Sequence, residues 1–178
     1  MGCDIHMFTE RKFKLCHDGE EKWINIDRFK LNGRYKYYDD GSEERQFEVV
    51  PIYDDRDYRL FTMLAGVRNY HDDPVISNPK GFPFDCSDFV NEEKENWEGD
   101  GHSHSYLTLK ELKDFRSKAA KYVGFMMPED VLRDLIYRLE TGLIERLEKR
   151  TRDEFWLLEN EDTTEYDDKV RIVFWFDN

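Results

Sequence analysis

The last ten residues of the chain constrain its fold more than any other stretch. The segment 169–178 is rich in β-branched and aromatic side chains, which favour a β-strand. Successive side chains of a strand point to opposite faces, and apolar residues here fall on both faces. We therefore predict a strand that is covered on both sides and lies inside a sheet. Its natural partner is a second strand, predicted over residues 3–13, with a returning strand over 22–26.

Helix signals begin in the middle of the chain. Helices are predicted over 57–67, 87–97, 108–121 and 128–152. The first has Asp57 as its N-cap, and the third begins at a capping box formed by Thr108 and Glu111. Gly124 separates the last two helices, so that 108–152 forms a helical hairpin.

These elements predict an α+β protein. A central, mostly antiparallel sheet pairs the N- and C-terminal strands, and the helices pack on it. A chain of 178 residues suits a single domain over 1–178.

Residues 27–57 mix aromatic and charged side chains and are predicted to be an excursion from the sheet. Residues 68–86 form a long loop, and loops of this length are often functional or mobile.

Composition excludes several classes of protein. The net charge of −13 disfavours binding to bare duplex nucleic acid, and no basic run offsets it. The three cysteines show no CxxC spacing, which argues against a disulfide framework or a zinc knuckle. The sequence has no signal peptide, and no apolar run approaches the roughly 18 residues of a membrane span. We expect a cytoplasmic protein without membrane contact, and a homo-oligomer stays open.

Two short motifs carry side chains that bind metals. Asp4 and His6 are two positions apart on a predicted strand, so they should project from one face. His102 and His104 form a second pair of the same kind, in a predicted loop before a helix. Together with Asp177, the four residues predict a site for a divalent metal, Zn, Mn or Mg. A metal-bound water becomes a nucleophile at neutral pH, which would give Asp4, His6 and His104 catalytic roles.

Other residues suit a phosphorylated substrate. Arg59 and Arg68 could hold a phosphate because a planar guanidinium matches its oxygens, and Asn69 adjoins them. Structural roles are the alternative for all of these residues. Asp4 and His6 could pair with an arginine or backbone groups and orient the first strand, and Arg59 could serve packing alone.

The chain resembles an uncharacterised family encoded largely by bacteriophages and prophages. The resemblance rests on the opening Met-Gly-Cys-Asp-Ile-His (1–6), the segments 57–61, 64–69, 79–83 and 102–108, and the ending Val-Phe-Trp-Phe-Asp-Asn (173–178). The family has no known activity. The resemblance therefore implies a phage origin and expression in the cytoplasm of a bacterial host, without implying a mechanism.

Two functions from different classes follow from these observations. The first is a phage-encoded, metal-dependent hydrolase that acts on a phosphoester or a nucleotide signal. The second is a non-catalytic anti-defence protein that binds or sequesters a small nucleotide or a host defence protein. The acidity of the chain suits docking on a basic host surface. A structural phage component is disfavoured, because the sequence has neither repeats nor a coiled-coil pattern.

Overall fold

The computed structural model of the protein describes residues 2–14, 19–97, 99–119, 129–150 and 166–177. Its strands and helices are, in chain order, β1 (Ile5–Lys14), β2 (Glu21–Asn25), β3 (Arg28–Tyr37), β4 (Glu43–Val50), α1 (Tyr58–Ala65), α2 (Asp88–Asn96), β5 (His102–Thr108), α3 (Leu109–Ala119), α4 (Glu129–Arg150) and β6 (Val170–Phe176). The predicted break at Gly124 and the last two residues of the predicted helical hairpin lie outside the described residues.

The strand β6 lies inside a four-stranded antiparallel sheet whose order is β2-β1-β6-β5. All seven of its residues are buried. The six apolar side chains lie in two apolar clusters on opposite faces, and Arg171 is buried in an ion pair with Glu10. Ile172, Phe174 and Phe176 pack with α1, α3 and α4 on one face. Val173 and Trp175 pack with α2 on the other face. Fully burying one large apolar side chain contributes about 1.5–3 kcal/mol to folding.

The predicted fold class is therefore confirmed. β1 pairs with β6, so that the N- and C-terminal strands are neighbours in an antiparallel sheet, and helices cover it. Ile5 lies opposite Phe176 and His6 opposite Trp175. The start of β1 thus lies beside the end of β6. The returning strand predicted over 22–26 is β2, which pairs with the other edge of β1.

Short sequence motifs also determine where two of the helices begin. The side chain of Asp57 accepts a hydrogen bond from the backbone N–H of Arg59, which makes Asp57 the N-cap of α1 as predicted. The predicted capping box is also present before α3. The backbone N–H of Thr108 donates to Glu111 Oε2 at 2.9 Å, and the backbone N–H of Glu111 donates to Thr108 Oγ1 at 3.2 Å.

The segment 27–57, predicted to leave the main sheet, forms a hairpin of its own. Its strands β3 and β4 make a separate two-stranded sheet. Phe29 pairs with Val49 and Leu31 pairs with Phe47. Directly paired residues of an antiparallel ladder share a face, so one face of the hairpin is apolar.

The prediction of a loop before the third helix is wrong. Residues 102–108 form the edge strand β5, in which Ser105 lies opposite Phe174 and Leu107 opposite Ile172. Ser105 and Leu107 are completely buried. The polar sequence around 102–105 does not suggest a strand by itself. Its apolar surroundings come from β6, a partner distant in sequence, and context of this kind decides strand formation.

Candidate functional site

The end of the sheet brings together residues from both ends of the chain. The backbone N–H of Asp4 donates to Asp177 Oδ1 at 2.9 Å, although 173 positions separate the two residues. His6 Nε2 lies 3.3 Å from Asp177 Oδ2. The side chains of His6 and Asp177 are 20% and 18% exposed, so solvent only partly screens this contact. Asp177, from the end of β6, thus contacts β1 through a His–Asp pair.

Asp4 does not join His6 at this pair. Its carboxylate accepts two hydrogen bonds from Arg56, from Nε at 2.7 Å and from a terminal nitrogen at 2.6 Å. These bonds hold the pKa of Asp4 below its usual value. A Cβ added at Gly2 would lie 2.7 Å from the Arg56 guanidinium. The glycine of the opening motif therefore leaves room for an arginine that the sequence pattern did not reveal.

His6 and His104 lie on either side of one buried indole ring. The centroid of His6 is 5.7 Å from that of Trp175, and the centroid of His104 is 5.9 Å from it. The Trp97 ring covers His6 at a centroid distance of 4.0 Å. Because β6 separates β1 from β5, the two backbones lie about 10 Å apart, or two strand spacings. The Trp175 ring lies between the two imidazoles, where an ion bound by both of them would have to lie.

The expectation that His102 and His104 share a face is also wrong. The ladder between β5 and β6 is irregular between His102 and Ser105, and Ser103 has a left-handed backbone with φ of 51°. His102 stacks on Phe176 at 6.0 Å, whereas His104 stacks on the neighbouring residue of β6. Neighbouring residues of a strand point to opposite faces. The bulge at Ser103 thus places the two imidazoles on opposite sides of the sheet.

The predicted metal ligands are therefore dispersed in this structure. Of Asp4, His6, His102, His104 and Asp177, only His6 and Asp177 are in side-chain contact. Within the described ranges, no group of three or more His, Cys, Asp or Glu side chains could hold a metal ion. The donor set does not fit a structural or catalytic zinc site, which needs at least three protein ligands. Metal binding by this chain stays a prediction.

The surroundings of His104 disfavour its charged form. Burial lowers its pKa below the usual value, and the positive charge of Lys94 and the nearby His102 lower it further. Its ring approaches Phe82 edge-on with the centroids 6.2 Å apart. The side chain is therefore part of the aromatic cluster around Trp175.

A cavity of about 570 Å³ lies at the C-terminal end of α1. We call it the Arg68 cavity, and its lining residues are Cys3, Ala65, Gly66, Val67, Arg68, Asn69, Tyr70, His102 and Ser103. It contains two of the three residues predicted to bind substrate. The third, Arg59, does not line it, and its guanidinium donates to both carboxylate oxygens of Asp57 at 3.1 and 2.7 Å.

Asn69 has a structural function in the wall of this cavity. Its side-chain nitrogen donates to the backbone carbonyl of Asp73 at 2.9 Å, and its side-chain oxygen accepts from the Asp73 backbone N–H at 2.8 Å. Both ends of the amide thus fix the loop after α1. Arg68 Nη1 donates to the Tyr70 hydroxyl at 3.3 Å, and its guanidinium lies 5.2 Å from the Tyr58 ring centroid.

The Arg68 cavity differs in charge from the protein as a whole. Among the described residues that line it, Arg68 is the permanent cation and none is aspartate or glutamate. His102 Nδ1 lies 3.0 Å from Ser103 Oγ, while its Nε2 is buried with no hydrogen-bond partner. The Tyr70 side chain is 76% exposed. The lining thus offers a cation and an aromatic ring.

Backbone strain is concentrated at the same place. Only three described residues other than glycine have positive φ, and two of them, Arg68 with φ of 61° and Ser103 with φ of 51°, line the cavity. A left-handed conformation costs a residue with a Cβ about 1–2 kcal/mol. Strained residues of this kind cluster at functional sites, where the surrounding structure holds them in place.

A buried ion pair that was not predicted from the sequence lies on the face of the sheet that α2 covers. Glu10 and Arg171 are directly opposite each other on β1 and β6, and their side chains are 0% and 3% exposed. Arg171 Nε donates to Glu10 Oε2 at 2.8 Å, and the backbone N–H of Ser87 donates to Glu10 Oε1 at 2.6 Å. Arg171 also donates to Asp85 at 2.8 Å. The pair thus fixes the start of α2 on the sheet.

Comparison with known proteins adds no assignment. No protein-family model, curated protein or solved structure matches this chain. Among the described helices, none is both long enough and apolar enough to cross a membrane.

Proposed function

We propose that this protein binds a small phosphorylated ligand of the nucleotide class in the Arg68 cavity. The observation that carries the proposal is the charge of the lining. It contains an arginine and a histidine but no carboxylate among its described residues, in a chain whose net charge is −13. The net negative charge of the protein repels anions. We therefore expect an anion to bind most favourably in this cavity, where the lining carries a positive charge and no carboxylate.

The geometry suits the two parts of a nucleotide. The Arg68 guanidinium can donate two parallel hydrogen bonds to phosphate oxygens. The exposed ring of Tyr70 lies next to it and offers a face on which a base stacks. A volume of about 570 Å³ falls within the range of cavities that enclose small ligands.

Binding without turnover is the first candidate, and hydrolysis is the second. A metal-dependent reaction needs several ligands around one ion, and the described residues provide only the His6–Asp177 pair. That pair is the observation in favour of hydrolysis, because a carboxylate that orients an imidazole assists general base catalysis. A phage origin stays a prediction, and sequestration of a host nucleotide would be consistent with it.

The test is calorimetric titration with adenosine and guanosine mono-, di- and triphosphates, cyclic dinucleotides and inorganic phosphate. We expect saturable binding of at least one nucleotide. Arg68→Gln should weaken it by about tenfold to a hundredfold, the value of a charge-assisted hydrogen bond of 1.5–3 kcal/mol. The matched control is Arg59→Gln, which removes an arginine at the other end of α1 that does not line the cavity. It should bind within about twofold of the natural chain.

Chromatography of the incubated nucleotide separates the two candidates. Recovery of intact nucleotide after denaturing the protein supports binding alone. Product that accumulates only with added Mg²⁺, Mn²⁺ or Zn²⁺ supports the hydrolase and the metal prediction. The proposal is wrong if no nucleotide binds, or if Arg68→Gln and Arg59→Gln have the same affinity.

A further inference from the structure

The hairpin of β3 and β4 presents an apolar face that the rest of the protein covers only in part. Three side chains of this face, Phe29, Leu31 and Phe47, are 49%, 50% and 62% exposed. A two-stranded hairpin is marginally stable in water unless its apolar face is packed. Contiguous exposed apolar surface of this kind marks a site of interaction.

The base of this face forms one wall of a cleft of about 460 Å³ against β1 and α2. We call it the hairpin cleft. Its aromatic walls are Phe29 and Phe47 from the hairpin and Phe89 and Trp97 from the α2 region. Phe29 and Phe89 meet edge to face with their centroids 5.2 Å apart. His6 also lines the cleft, behind the ring of Trp97.

The charges in the hairpin cleft are opposite to those in the Arg68 cavity. Glu48, Asp54 and Glu93 line it, and none of its described lining residues is lysine or arginine. Glu48 already pairs with Lys30 at 2.9 Å. Burial and the neighbouring Glu92 raise the pKa of Glu93, because both disfavour its charged form. Aromatic walls with a carboxylate provide the surroundings that favour a desolvated organic cation.

We propose that the hairpin cleft docks a basic segment of a partner protein, whose arginine or lysine side chain inserts between the aromatic rings and meets Glu93. The exposed face of the hairpin, with Leu31, extends the contact beyond the inserted side chain. Arginine is enriched at the centres of interfaces because its planar cation both stacks and forms hydrogen bonds. The net charge of −13 attracts a basic partner to this protein and disfavours acidic partners. The proposal is independent of nucleotide binding in the Arg68 cavity.

The probe is a short peptide that alternates arginine with serine, and its control is the same peptide with neutral citrulline in place of arginine. The measurement is NMR titration, with the indole N–H of Trp97 as the reporter inside the cleft. We expect a saturable shift of this signal with the arginine peptide, and affinity at least about tenfold lower for the citrulline peptide. Added salt should weaken binding, because the contact is ionic.

Two substitutions on one helix give a matched comparison. Glu93→Gln removes the carboxylate inside the cleft and should weaken binding about fivefold or more, whereas Glu92→Gln removes an exposed neighbour and should not. Phe47→Ser alters an exposed side chain and should also weaken binding. Equal effects of Glu93→Gln and Glu92→Gln would overturn the proposal, since attraction would then be unspecific. Equal binding of the arginine and citrulline peptides would also overturn the proposal. So would a dimer of this protein that Phe47→Ser dissociates, because the cleft would then bind a second copy of the chain.

Discussion

The buried pair of Glu10 and Arg171 leads to a quantitative prediction for folding. Glu10→Leu removes the carboxylate and leaves the Arg171 guanidinium, 3% exposed, without its buried partner. Breaking a buried ion pair in this way costs about 3–5 kcal/mol, because the remaining charge stays desolvated. The backbone N–H of Ser87 loses its acceptor at the same time. Arg171 keeps its contact with Asp85, whose side chain is 42% exposed, so we expect the lower bound of about 3 kcal/mol.

The assay is urea unfolding followed by tryptophan fluorescence, together with calorimetry. For a chain of this size, 1 kcal/mol shifts the melting temperature by about 2–4 °C, so Glu10→Leu should lower it by about 6–12 °C. The double variant Glu10→Leu/Arg171→Met removes both charges and should be more stable than Glu10→Leu alone. The control is Glu21→Leu, which removes the partner of Lys12 in a surface pair 4.0 Å long and should change stability by at most about 1 kcal/mol.

Two outcomes would refute this reasoning. A cost for Glu10→Leu no larger than for Glu21→Leu would mean that the pair is not buried in solution. A double variant that is less stable than Glu10→Leu would mean that Arg171 stabilises the protein mainly through other contacts. These contacts include the ion pair with Asp85 and the stack of its guanidinium on the Trp23 ring, 4.0 Å from the centroid.

Three further predictions concern other sites. Gly101→Ala places a Cβ 3.2 Å from the ring of Trp175 and from the carbonyl of Trp97. It should lower the free energy of unfolding in urea by about 1–3 kcal/mol, and an unchanged midpoint would contradict this prediction. Arg68→Gly relieves a left-handed backbone and should raise the free energy of unfolding by up to about 1 kcal/mol, while weakening nucleotide binding at least as much as Arg68→Gln; a loss of stability would contradict the strain. Burial raises the pKa of the Cys86 thiol from 9.0 to about 11, so alkylation by iodoacetamide at pH 8 should be slow and should accelerate up to about pH 11. Fast reaction of Cys86 at pH 8, located by mass spectrometry, would contradict that pKa.

Those parts of the fold that depend on local signals could be predicted from the sequence. The apolar residues on both faces of β6 predicted a strand inside the sheet, and the side chains of Asp57 and Thr108 predicted the starts of α1 and α3. In each case the interaction that decides the structure lies within a few positions of the residue. The partner of β6 was predictable because β1 is a strong strand signal at the other end of the chain.

The arrangement of the candidate site depends on contacts between distant segments and could not be predicted in the same way. A period of two residues places His102 and His104 on one face, and the left-handed backbone of Ser103 reverses this. Nothing in a Ser between two His residues indicates a bulge. Arg56, the partner of Asp4, is 52 positions away in the chain. The motifs therefore identified polar residues near one end of the sheet, but not which of them contact each other.

The location of β6 also sets a condition on synthesis. β6 follows β1, β2 and β5 in the chain, yet it lies between β1 and β5 in the sheet. Until the ribosome has released β6, both of these strands have an open backbone edge. Open edges template pairing with other chains, and a nascent chain paused at this stage is prone to aggregate. The yield of folded protein should therefore depend on how soon translation of β6 follows that of β5.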